Sequence, residues 1–233
     1  MEDAVIQRHL RNTGAWDVPL SRWMSETIQP GWTCLDIGAN NGYFTEHMAR
    51  LAGTEGNVFG FEASSRMVSL YEEGKKLNDY SQSAEITMVN TCLSSSTSVK
   101  TLFTPERNKG GASVERGFID SSGFKDIYGF TEERLSEVNC VPLSSILDVT
   151  PDYIKLDVEG HEEEVMQGFS DNAKKCPLLT IEFTPYISDT FFEYLVETYD
   201  FYNLAGTPMS IDSLKVRRVS WSQSTKDVVL RFK

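Results

Sequence analysis

Close cysteine pairs, long apolar runs and a basic excess are all missing from this 233-residue chain. Its four cysteines, Cys34, Cys92, Cys140 and Cys176, lie far apart, which excludes the spacings that a zinc knuckle or a redox motif requires. Each sits in or beside an apolar run, the setting of buried free thiols in a reducing compartment. No apolar stretch approaches the length of a bilayer span. The first residues, MEDAVIQRHLRN, are polar and acidic rather than leader-like, so a cytoplasmic protein with no membrane partner is expected. With 22 Lys and Arg against 34 Asp and Glu the formal charge is −12, which repels a nucleic-acid backbone over most of the surface. Lys215, Arg217 and Arg218 form the one short basic cluster near the end, read here as a solvated strand face. Internal repeats are absent as well.

What is present begins with TCLDIGANNGYFTEHMA, residues 33–49. A short apolar run reaches Asp36, turns through Gly38 and Gly42, and opens into a helix, the outline of a nucleotide-cofactor loop. The glycine-rich dinucleotide fingerprint would want a third glycine where Asn40 stands, which points away from NAD. An acid at the head of the loop, Asp36, sits badly beside a diphosphate and well beside a cationic ligand such as the aminoacyl part of S-adenosylmethionine. A second apolar strand, in NVFGFEASSRM, ends in Glu62, a carboxylate placed to accept both ribose hydroxyls of an adenosine. Gly38, Ala39, Asn40 and Gly42 are then expected to line the methionine and ribose, with Phe44 packed behind them or in the plain core. Ala63 and Ser64 are expected near the adenine, flanked by Thr91, Cys92 and Leu93 after the third strand.

Strand and helix alternate through these segments, which calls for a parallel sheet with right-handed crossovers. Residues 1–30 read as an N-terminal cap, helical around SRWMSETI. Residues 104–138, rich in Gly, Ser and charge, read as a substrate lid or irregular insert. Order returns with YIKLDVEGHEEEVMQGF, where an apolar strand meets a glycine and enters a helix, and CPLLTIEFTP supplies another strand that ends in Glu182. The segments KVRRVSW and DVVLRF read as a closing antiparallel hairpin. The expected whole is one α/β domain over 1–233, a mostly parallel seven-stranded sheet flanked by helices, with an antiparallel hairpin at its end.

Three segments in this order, LDIGANNGYFT, FGFEASSRMV and YIKLDVEGHEEEVMQG, resemble the FkbM family of S-adenosylmethionine-dependent methyltransferases from Gly31 to Glu182. The third is the specific one: Ile154, Lys155, Asp157, Glu159, Gly160 and Glu162, with Gly168 beyond. The resemblance implies a class I, Rossmann-like methyltransferase fold, S-adenosylmethionine as methyl donor, and transfer to a hydroxyl oxygen of a small molecule, sugar or natural product. The run NKGGASV stands where relatives carry a glycine-containing loop, and acceptor choice is expected to reside there and in the N-terminal segment.

A neutral alcohol is a poor nucleophile whose proton must leave, through a general base or a metal-bound oxygen. Lys155, Asp157, Glu159 and His161 alternate as the third-motif strand ends, which on an extended backbone places them on one face. Asp157 is the first choice for the active-site carboxylate, as base or metal ligand. His161 is the competing base, unless it merely starts a helix in solvent. Glu159 and Glu162 either face the site or meet the helix dipole. Lys155 orients a carboxylate or the substrate, or simply pairs within the strand. Asp157, Glu159 and Glu182 together would make a hard-oxygen set for a divalent metal such as Mg²⁺. Two other classes compete: a catalytically silent S-adenosylmethionine-binding protein, and an NAD(P)-linked oxidoreductase, for which a glycine-richer loop and a separate substrate domain would be needed.

Overall fold

β-branched and large apolar residues dominate the segments that form the central strands, and each is buried on both sides, as a sheet covered by helices requires. A computed structural model of the chain describes residues 6–106, 109–128, 133–218 and 227–233. Its strands are β1 (Thr33–Ile37), β2 (Asn57–Glu62), β3 (Glu85–Asn90), β4 (Cys92–Leu93), β5 (Ser98–Pro105), β6 (Glu133–Val141), β7 (Tyr153–Leu156), β8 (Leu178–Glu182), β9 (Tyr199–Tyr202) and β10 (Asp227–Phe232). The helices are α1 (Ile6–Thr13), α2 (Val18–Thr27), α3 (Tyr43–Ala52), α4 (Ser65–Lys75), α5 (Arg116–Asp120), α6 (Ser122–Tyr128), α7 (Glu162–Gln167), α8 (Asp189–Thr198) and α9 (Ile211–Arg218).

The main sheet has seven strands in the order β3-β2-β1-β7-β8-β10-β9, and β10 runs antiparallel to both its neighbours. Leu35, Ile37, Ile154, Leu156, Leu179, Ile181, Val228 and Leu230 fill the core on one face. Cys34, Val58, Tyr153 and Val229 pack on the other, against Leu20, Trp23 and Met24 of α2 and Met48 and Ala49 of α3. Strand order reverses between β1 and β7, and the crevice beyond their C-terminal ends is where open α/β sheets bind ligands. β4, β6 and β5 make a second, three-stranded sheet beside this crevice. All four cysteines are buried free thiols, and burial pushes Cys34, Cys92 and Cys176 above the usual thiol range. Among the described residues no helix is long and apolar enough to cross a membrane.

Two segments differ from the sequence reading. The closing antiparallel pair is present, but the partner of β10 is β9, and Lys215 to Arg218, read as part of a strand, lie in helix α9. Ser210 starts that helix by accepting the Ser213 N–H at 3.2 Å, and the single buried apolar position, Leu214, suffices to seat it. Residues 219–226, which include the rest of KVRRVSW, lie outside those described. The described part of the insert is regular as well. β5 runs on to Pro105 and pairs antiparallel with β6 from Glu133, with α5 and α6 between them; Phe118, Ile119 and Phe124 give these two short helices an apolar cluster of their own. Residues 107–108 and 129–132 of the insert lie outside the described segments.

Candidate active site

The β1–α3 loop and the end of β7 meet at backbone contact. Gly38 has φ 83°, and a Cβ built there would lie 1.8 Å from the Asp157 carbonyl oxygen, so only glycine lets the two loops touch. Asn40 also takes positive φ, 53°, a geometry that Asn tolerates. Its N–H donates to Glu62 Oε2 at 2.8 Å, and the Ser64 N–H donates to Glu62 Oε1 at 2.7 Å. Both carboxylate oxygens are thereby aimed from the tip of β2. Burial raises the Glu62 pKa, against the pull of these two donors.

One cavity opens beyond these strand ends. Its wall includes Gly38, Ala39, Asn40, Phe44, Glu62, Ala63, Thr91, Cys92, Leu93, Lys155, Asp157, Glu159 and His161, all of them predicted site residues. Three predicted cofactor residues are not on that wall. Asp36 is fully buried behind it, accepting the Thr45 hydroxyl at 2.6 Å, because register sets Asp36 directly beside Lys155 on the neighbouring strand. Gly42 starts α3 with φ 82°, and its missing side chain makes room for the Tyr71 ring. Ser64 caps α4 and orients Glu62. Sequence reasoning missed Trp16, Asn41, Tyr43, Met67, Leu102, Ser113 and Val114 of the wall. Ser113 and Val114 fall in the NKGGASV run, which was the available signal; the Trp16 backbone N–H donates to the Tyr43 hydroxyl at 3.1 Å, a contact across 27 positions with no local signature.

Lys155 is 3 % exposed and lies 3.0 Å from Asp157 Oδ2 and 3.7 Å from Asp36 Oδ1. Burial would lower its pKa, but Asp157 and Asp36 outweigh burial and the net shift is upward, so the ammonium stays charged. Asp157, Glu159 and Glu182 each offer an oxygen, all within 4.8 Å of one another, which fits a divalent cation in ligand type. The expected alternation past β7 does not continue. The strand ends at Leu156, and Glu159 and Gly160 turn with φ 53° and 95°. His161 still reaches the wall, but it is buried, with Nδ1 2.7 Å from Glu115 Oε1 and Nε2 3.1 Å from Ser94 Oγ. Both ring nitrogens are engaged within the protein, and His161 does not face solvent.

Glu162 turns inward. It is buried, and Oε1 accepts the N–H groups of Val158 at 3.3 Å and Gly160 at 3.2 Å. Burial, with Glu182 and Asp157 nearby, raises its pKa to about 8. A carboxyl whose folded pKa exceeds its unfolded value holds its proton more tightly when folded. Its contribution is therefore complete below the unfolded pKa and is lost as pH rises toward 8, by on the order of 4 kcal/mol. Glu162→Gln keeps the acceptor oxygen without the titration. It is expected to raise stability at pH 8.5 by about 4 kcal/mol, on the order of 10 °C in Tm, with little change at pH 5. Scanning calorimetry at both pH values checks this; equal pH dependence in the two proteins would refute it.

The family model described as the methyltransferase FkbM domain matches residues 36–206. A sequence search of curated proteins finds no match. Among solved structures, a candidate caffeoyl-CoA O-methyltransferase from Staphylococcus aureus is 10 % identical, with 100 % of this chain and 92 % of that one covered and a TM-score of 0.50. Methyltransferase FkbM from Methylobacillus flagellatus is 14 % identical at a TM-score of 0.49, covering 99 % of this chain and 61 % of its own. A SAM-dependent O-methyltransferase from Thermotoga maritima is 12 % identical at a TM-score of 0.46, covering 97 % and 69 %. At 10 % identity the likeness to the Staphylococcus aureus structure is one of fold.

Proposed function

The chain belongs to the FkbM methyltransferase family, and on that premise we propose that it moves the methyl group of S-adenosylmethionine to a hydroxyl oxygen of a small-molecule acceptor. The observation that carries this reading is that one cavity has on its wall both Glu62, held by two backbone N–H groups, and Asp157 beside charged Lys155. A nucleoside suits the wall at Glu62, and proton removal suits Asp157. S-adenosylmethionine, when bound, supplies an electrophilic methyl carbon. Glu62 accepts ribose hydroxyls, Gly38, Ala39 and Asn40 offer backbone to the methionine part, and Thr91, Cys92 and Leu93 enclose the base.

The chain's remaining task is to hold an acceptor oxygen in line and to take its proton. Asp157 does the latter, with Lys155 fixing its orientation. Asp157, Glu159 and Glu182 would also serve as ligands to a divalent cation that polarises the hydroxyl, and this is the second reading that their proximity favours. The charge of −12 supports a small acceptor over a nucleic-acid backbone. We read residues 1–233 as one catalytic unit, with 1–30 as cap and 104–138 as the acceptor-side insert.

Calorimetric titration with S-adenosylmethionine, NAD⁺ and NADP⁺, each with and without Mg²⁺ after chelation, tests the reading. Selective binding of S-adenosylmethionine is expected, and preference for a nicotinamide would overturn it. In the same titration Glu62→Ala is expected to weaken S-adenosylmethionine about 10- to 100-fold, the worth of hydrogen bonds to a charged acceptor. Unchanged affinity would remove Glu62 from the ribose site.

A further inference from the structure

A residue other than glycine at positive φ costs free energy and persists only where its surroundings hold it there. Glu159, at φ 53°, stands on the cavity wall in that condition. Much of what holds it comes from the insert, more than forty positions earlier in the chain. The Ser113 hydroxyl donates to the Glu159 carbonyl oxygen at 2.7 Å. The Phe118 ring occupies the space beside Gly160, where an added Cβ would lie 2.7 Å from it. Glu115 Oε1 reaches His161 Nδ1 at 2.7 Å, while Ser94 holds the other ring nitrogen.

Of these contacts only that of Glu115 carries charge. Its carboxylate lies 3.4 Å from Lys100 and is 35 % exposed, and the hydrogen bond with His161 holds it below the usual carboxylate range. Glu115 is not on the cavity wall. Its backbone N–H donates to Ser113 Oγ at 2.9 Å, a contact that any side chain at this position keeps; its carboxylate reaches the site through the imidazole, which adjoins the strained turn directly in sequence.

We propose that Glu115 is a positioning residue of the transfer site, which fixes the Glu159–Gly160 turn through His161 and thereby places the Glu159 carboxylate at the cavity. The assignment of a transfer role rests on the methyltransferase reading; the mechanical coupling of Glu115 to the turn does not. Because the coupling works through a hydrogen-bond acceptor at one defined distance, glutamine should replace glutamate there and alanine should not.

Amide hydrogen exchange of the full chain, compared among the parent, E115A and E115Q, tests the coupling. In E115A the amides of residues 158–161 are expected to exchange at least tenfold faster, with the main sheet unaffected. In E115Q they should return to within about threefold of the parent. The ring ¹⁵N resonances of His161, identified among the three histidines by a His161→Asn control, should shift in E115A and recover in E115Q. Titration with S-adenosylmethionine should give the same affinity in all three proteins. Unchanged exchange in E115A, an equal rise in E115Q, or acceleration across the whole fold would each overturn the proposal. Failure of the parent to bind S-adenosylmethionine would overturn the methyltransferase reading and the transfer role assigned to Glu115, while the exchange comparison would still decide the coupling.

Discussion

Asp157→Ala is expected to bind S-adenosylmethionine with the parent's affinity and to turn over roughly 10²- to 10⁴-fold more slowly, the range that a positioned proton acceptor contributes. The backbone at this position is held independently of the side chain. The Asp157 N–H donates to the Ile37 carbonyl at 3.0 Å, and its own carbonyl lies against Gly38, so removing the carboxylate leaves the loop in place. The nucleoside wall, at Glu62 and Asn40, is built from other strands. What the substitution removes is a carboxylate, 36 % exposed, at the wall of the cavity. Asp157→Asn separates two ways in which it could act. Asparagine still accepts from the Lys155 ammonium but cannot take a proton. Equal slowness of Ala and Asn variants, measured by S-adenosylhomocysteine formation, would identify the base; near-parent rates for Asn would make orientation of Lys155 the function. Normal turnover of the alanine variant would remove Asp157 from the chemistry.

Much of this was legible because it depends on local pattern. Apolar runs that end in an acid or a glycine and enter a helix mark β1, β2 and β7, and those strand ends carry most of the wall. Pattern alone does not reveal register. Whether Asp36 faces a ligand or the core depends on its lying directly opposite Lys155 on the next strand, a pairing across 119 positions. The same limit applies to His161. Its place in a polar motif suggested a base, whereas Glu115 and Ser94, from two other segments, occupy its ring nitrogens. Extended alternation was a poor guide past Leu156 because Glu159 and Gly160 leave the β region of backbone space. In α9, a start signal at Ser210 and one buried leucine accompany a helix where KVRRVSW reads as a strand.

Gly38→Ala is expected to be the most destabilising single change in the site, costing about 4 kcal/mol, on the order of 10 °C in Tm. Two costs combine. At φ 83° a Cβ meets its own carbonyl region, and in addition it would stand 1.8 Å from the Asp157 carbonyl oxygen and 2.8 Å from the Asp157 carbonyl carbon. These obstacles are backbone atoms at the end of a central strand, so no side-chain rotation relieves the clash. β1 and β7 would have to part at their C-terminal ends, and Lys155 would be drawn from between Asp36 and Asp157. The strain alone can be measured elsewhere: Gly206 has φ 77° with nothing within 4 Å of an added methyl group, and Gly206→Ala should cost only about 1–2 kcal/mol. Calorimetry of both variants, with S-adenosylmethionine titrated into each, then separates backbone strain from close approach. If Gly38→Ala costs no more than Gly206→Ala and still binds S-adenosylmethionine, the two loops do not need contact. A larger cost together with lost binding would mean that the glycine is required because the cofactor loop and the carboxylate loop share one surface.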